Sequence, residues 1–318
     1  MRTAVVLGAG GFTGQAFHLG ALSALHELTG FDARQVDTLV GTSAGSLVAA
    51  GLAGGLSAAD LAAELLGEPL SEQGQAIRTA ARAQLGGVQT VAALPELGLR
   101  PLDPLVLLNA ARRPLRTRPV AVVSSLLPRG RHETEPISRS VRHLHGDAWP
   151  DRDLRICAVR ARDARRVVFG TARAPQTDVG TAVAASCAIP AYFQPVTVDG
   201  QPYVDGGVHS PTNADVVLRD SPDLVVVLSP MSVGPQVTVR PDLGVRLALR
   251  RFLGQEVRRL RRAGSQVVVL QPTRADLEVM GLNPMHGARI DEVVQTVAAS
   301  VRTRLEAQPS LATLLAQR

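Results

Sequence analysis

The segment Val36-Asp37-Thr38-Leu39-Val40-Gly41-Thr42-Ser43-Ala44-Gly45 joins a short apolar run to the pattern Gly-x-Ser-x-Gly. Residues 36–40 read as a buried strand, and the small residues after Gly45 read as a helix to about residue 53. A serine between strand and helix, flanked by Gly41 and Gly45, fits a turn tight enough to push its hydroxyl out of the sheet. The following helix N-terminus adds positive potential and a free backbone N–H near a developing oxyanion. Taken alone, the same pattern also describes a serine capping a helix after a glycine turn.

Upstream, residues 3–8 (TAVVLG) form a first strand expectation, followed by a glycine-rich turn from Gly8 to Gly14 and a helix over 15–28 with Phe17, Leu19, Leu22, Leu25 and Leu28 at helical spacing. Strand–turn–helix occurs twice in succession, the signature of a parallel sheet with crossover helices. The glycine turn has two readings. Gly8, Gly11 and Gly14 fit a dinucleotide fingerprint of an NAD(P)-binding oxidoreductase. Such a fold wants an acid at the end of strand two, where this chain has Val40-Gly41 and then the serine turn. In the other reading, side-chain-free backbone at Gly10 and Gly11 aims N–H groups at a developing oxyanion.

Downstream, 57–112 reads as helical and rich in Ala and Leu, and 114–152 as irregular and polar, so 57–152 is expected to be a cap inserted into one domain of 1–318. Strands are expected at 154–159 and 166–169 as a hairpin, at 195–198 and 201–204 around the turn Asp199-Gly200, and at 224–228 and 266–270. Helices are expected at 178–186, 243–262 and about 288–307. The class is α/β, with a mainly parallel central sheet.

Composition narrows the function. Hydrophobic residues make up 45% of 318, enough for a large core. Nine aromatic residues are too few for base-stacking platforms, so no nucleic-acid partner is expected. All 34 basic residues are arginine, which removes any reductase relying on a Tyr–Lys pair. Cys157 and Cys187 stand far apart with no CxxC, and no metal-ligand spacing is visible. The start at Met1 lacks a signal-peptide core and no stretch is long enough to span a bilayer, so a cytoplasmic protein is expected.

None of the seven histidines sits in a triad context; His209 is nearest to a marked site. Asp205-Gly206-Gly207 places an acid at a strand end, from which a carboxylate can reach a hydroxyl and act as base. Gly10-Gly11-Phe12-Thr13-Gly14, Gly41-Thr42-Ser43-Ala44-Gly45 and Asp205-Gly206-Gly207 together resemble the patatin-like phospholipases. Gly20-Ala21-Leu22-Ser23-Ala24-Leu25 and Ala184-Ala185-Ser186-Cys187-Ala188-Ile189-Pro190 extend the likeness, which spans about residues 4–215. The resemblance implies a three-layer α/β/α fold with an inserted helical cap, and lipid acyl-ester hydrolysis by a Ser43–Asp205 dyad. It also implies an oxyanion hole of Gly10, Gly11 and Ala44, supported by Gly14, Gly41, Gly45, Gly206 and Gly207, with no metal or organic cofactor. Thr13 departs from the Arg or Lys usual in the family's loop, which bears on the charge support of the hole. A non-catalytic lipid-binding or regulatory protein on the same fold is the alternative from another class. The helix 245–262 carries Leu249, Phe252, Leu253, Val257 and Leu260 on one face and arginines off it. It reads as a solvated crossover helix, with peripheral contact to an anionic membrane as the second reading.

Overall fold

Eight strands share one sheet in the computed structural model, which describes residues 1–85, 130–234, 237 and 241–316. The central part runs β3 (Asp153–Arg160), β2 (Thr38–Thr42), β1 (Thr3–Leu7), β7 (Leu224–Leu228) and β8 (Gln266–Leu270), all parallel. The chain steps from β1 outward to β2 and β3, then returns to the other side of β1 for β7 and β8. Ligands of open parallel sheets bind at the carboxyl ends of the strands beside such a reversal.

Helices cover both faces, and that is why β1 (TAVVL) and β7 (LVVVL) are apolar at every position or nearly so. On one face Val5, Leu7, Leu39, Ile156 and Val226 pack with α1 (Gly11–Thr29), α2 (Ala44–Ala53), α6 (Val179–Ser186) and α9 (Ile290–Ala307). On the other, Ala4, Val6, Val40, Val225 and Val227 pack with Leu253, Val257 and Leu260 of α7 (Leu243–Arg262). The expected bounds of α7 hold, and the expected hairpin is present as β5 (Val196–Val198)–β6 (Gln201–Asp205), each strand within one residue of expectation. Asp199 and Gly200 both have positive φ, as a two-residue turn between twisted strands requires.

The stretch expected to be helical after residue 57 forms α3 (Ala58–Leu66) and α4 (Glu72–Leu85) as far as it is described, with Gly67 ending α3 in the left-handed conformation. The stretch expected to be irregular contains α5 (Glu135–His145), whose apolar positions Ile137, Val141 and Leu144 lie at helical spacing among Arg and His and pack on the core. Helices α8 (Arg274–Met280) and α10 (Pro309–Ala316) were not expected at all. The expected cap falls in part on 86–129, outside the described residues.

Candidate active site

Strand β3 brings the serine and the aspartate together. One edge of β3 is taken by β4 (Arg165–Phe169), which pairs with Ile156 to Arg160. The other edge is shared by two strands arriving from opposite directions. Parallel β2 ends with Thr42 opposite Cys157, and antiparallel β6 ends with Asp205 opposite Ala158. The carboxyl ends of β2 and β6 therefore meet head to head, so Ser43 follows one strand where Asp205 closes the other.

Ser43 has φ 52° and ψ −124°, a conformation unfavourable for a residue with a side chain. Its surroundings hold it there. A Cβ on Gly45 would lie 2.1 Å from the Leu7 carbonyl oxygen, so only glycine lets α2 start so close to the end of β1. The Ser43 N–H donates to Ser186 Oγ at 2.8 Å, and Ser186 Oγ donates to the Cys157 carbonyl at 2.7 Å. The Ser46 N–H and hydroxyl both donate to the Ser43 carbonyl, at 2.7 and 2.6 Å. Cys187 Sγ lies 3.7 Å from Ser46 Oγ, and burial pushes its thiol well up, so it stays protonated near neutrality.

Asp205 is 5% exposed and Ser43 4%. The Asp205 carboxylate accepts the Gly207 N–H at 2.6 Å and lies near the Ser43 hydroxyl, which favours its ionised form. Burial raises its pKa from 3.8 to about 6, against the lowering effect of those two donors. A carboxylate so placed is ionised at neutral pH yet basic enough to take a proton. His209 lies in the short turn that follows Asp205.

The glycine loop departs in part from expectation, because Gly11 to Gly14 form the first turn of α1 and Gly10 is its N-cap. The loop is pinned by Gly8 N–H to Leu228 O, Ala9 N–H to Pro211 O, and the ring of His18, whose Nε2 lies 2.7 Å from Gly8 O. Burial lowers the His18 pKa to about 4, so the ring is neutral and donates through Nε2. The N–H groups of Gly10 and Gly11 find no acceptor among the described residues, whereas the Thr13 N–H is taken by Pro284 O at 3.2 Å. A recess of about 150 Å³ opens beside Gly10 and Thr13, between Pro230, Met231, Leu282 and Pro284.

Sequence reasoning missed the network that ties these parts together. Asn213 is fully buried, and its Nδ2 reaches Thr42 Oγ1 at 3.1 Å, Gly206 O at 3.2 Å and Ser210 O at 2.7 Å. It thus links the strand before Ser43 to the turn after Asp205. Arg166 donates to Asn213 Oδ1 at 3.1 Å and pairs with Asp215. Glu256 of α7, 1% exposed, accepts the hydroxyls of Ser210 and Thr212 at 2.6 and 2.5 Å and the Ala214 N–H at 3.1 Å. The only available signal was an acid placed among the apolar positions of a basic helix: Glu256 stands beside Val257 and four residues before Leu260.

A groove of about 1310 Å³ runs along β8 beside α9 and α10, and neither Ser43 nor Asp205 lines it. Among the described residues no group of three or more His, Cys, Asp or Glu gathers to hold a metal ion, and no helix is long and apolar enough to cross a membrane.

A family model described as patatin-like phospholipase matches residues 5–218, about two thirds of the chain. No curated protein matches it. Among solved structures, VipD from Legionella pneumophila is similar at 14% identity and TM-score 0.43, over 96% of this chain and 67% of that one. The type III effector protein ExoU is similar at 17% identity and TM-score 0.37, over 96% of this chain and 53% of that one. The ExoU–SpcU complex of Pseudomonas aeruginosa gives 18% identity and TM-score 0.31, with 59% of that chain covered. Likenesses of this extent carry no functional argument.

Proposed function

The chain belongs to the patatin-like phospholipase family of ester-hydrolysing enzymes, and from that premise we propose that it cleaves lipid acyl esters with Ser43 as nucleophile and Asp205 as base. The observation that carries this reading is the meeting of the serine turn at the end of β2 with a buried carboxylate of pKa about 6 at the end of β6. Asp205 takes the proton from Ser43 Oγ as Oγ attacks the ester carbonyl. The N–H groups of Gly10, Gly11 and Ala44 hold the tetrahedral oxyanion, each such donor contributing about 3 kcal/mol to the transition state. The intermediate collapses to the acyl-enzyme, and the leaving alkoxide receives the proton held by Asp205. Water, deprotonated by Asp205, then attacks the acyl carbonyl, and the acid departs as the proton returns to Ser43. The small recess bordered by Gly10, Pro230 and Leu282 offers a place for part of an acyl chain.

Thr13 in place of a cationic residue leaves the hole to the backbone donors and the α1 N-terminus. The dinucleotide reading is disfavoured by the Pro284 carbonyl, which occupies a donor at the helix end where a pyrophosphate would sit. The test is labelling by a fluorophosphonate probe together with turnover of a p-nitrophenyl ester series. Labelling and turnover should both vanish in Ser43→Ala. A wild-type protein that neither labels nor turns over any chain length would instead indicate a lipid-binding module on the same fold.

A further inference from the structure

A cleft of about 820 Å³ lies between the β3–β4 hairpin, residues 171–175 and residues 215–220. Six of its sixteen lining residues are arginine, against 34 of 318 in the whole chain. An arginine-rich composition alone therefore does not account for it. The six come from three separate segments: Arg155, Arg160, Arg165 and Arg166 from the hairpin, Arg173 from the loop after it, and Arg219 from the far wall.

Carboxylates engage four of them. Asp153 and Asp220 hold Arg155, Asp163 holds Arg160 and Arg165, and Asp215 holds Arg166. Arg173 and Arg219, exposed at the rim, have no acid partner among the described residues. Arg160 and Arg165 stand directly opposite each other across the hairpin, an arrangement that costs stability for like charges and that their shared partner Asp163 offsets. Six cations against four carboxylates leave positive charge at the rim that suits an external anion. Guanidinium forks match phosphate oxygens in pairs. The cleft has the size of a small-molecule site and exceeds what one phosphate fills.

We propose that this cleft binds a compact phosphate-rich anion, one carrying several phosphomonoester groups. Its partners are Arg173 and Arg219 at the rim and the remaining donors of Arg160 and Arg165. The site is separate from the Ser43–Asp205 pair, and the proposal does not depend on hydrolysis.

The experiment is calorimetric titration of the full chain with inositol hexakisphosphate at about 150 mM salt. A parallel arm measures sedimentation with phosphatidylcholine vesicles with and without phosphatidic acid. The proteins are wild type, Arg173→Ala/Arg219→Ala, Ser43→Ala, and the control Arg258→Ala/Arg259→Ala, which removes the same charge from the exposed side of α7. Saturable binding is expected, weakened about tenfold or more in Arg173→Ala/Arg219→Ala, by less than about twofold in the control, and unchanged in Ser43→Ala. Binding of the soluble anion supports the site, whereas binding to phosphatidic acid vesicles alone, which present one phosphomonoester per headgroup, overturns it. Absence of binding in both arms, equal losses in the control, or preferential capture of single-stranded DNA overturns it. Unchanged circular dichroism and melting of the two double variants confirm that they fold.

Discussion

Replacing Asp205 by Asn should abolish turnover and at the same time stabilise the protein. The native state holds this carboxyl at a pKa of about 6, raised by burial from 3.8. Between those values the native state binds more protons than the unfolded chain. Its stability therefore falls as pH rises through that window and stays lower above it. The shift of roughly two units, at about 1.4 kcal/mol each, amounts to about 3 kcal/mol of native-state destabilisation at pH 7.5. Asn removes the charge and keeps an oxygen to accept the Gly207 N–H that Asp205 now accepts at 2.6 Å. The gain in unfolding free energy should approach about 3 kcal/mol at pH 7.5, shrink to about 1 kcal/mol at pH 4.5, and vanish near pH 3. Urea unfolding of both proteins across this range measures it, because other titrating groups cancel in the difference. In wild type, kcat/KM should fall tenfold per unit below an apparent pKa of about 6. An Asn variant less stable than wild type at pH 7.5, or a difference that does not change with pH, would refute the argument that burial sets the base.

Two further substitutions test the framework around the pair. Ser186→Ala leaves the Ser43 N–H and the Cys157 carbonyl without their shared hydroxyl and should cost about 1–3 kcal/mol of stability. Denaturant melts measure that cost, and turnover of a p-nitrophenyl ester should drop further than the melts alone explain as Ser43 loses its fixed backbone. Asn213→Ala removes three donations between β2, the Asp205 turn and Ser210, and should lower kcat more than it raises KM. Steady-state kinetics with a soluble ester decide this, and an unchanged kcat would remove Asn213 from the positioning of the dyad.

The strands, the serine turn and most helices were legible in the sequence because each is written in consecutive residues. TAVVL and LVVVL are apolar throughout because both their faces are covered, and the glycines around Ser43 mark a turn that a Cβ would block. Helix α5 was obscured because Ile137, Val141 and Leu144 are few and the residues between them are polar or charged. The resemblance picked out Ser43 and Asp205 as a pair. What brings the two strand ends together is the shared edge of β3, where β2 and β6 end opposite neighbouring residues. The raised pKa of Asp205 belongs to the same level, since desolvation sums over every atom packed round the carboxyl. So do the Asn213 network and the burial of Glu256 in an otherwise basic helix. Local pattern fixes the elements, because backbone geometry and side-chain periodicity repeat over a few residues. The site's reach and proton affinity were decided only by folding, because they depend on distances between residues that the chain places far apart.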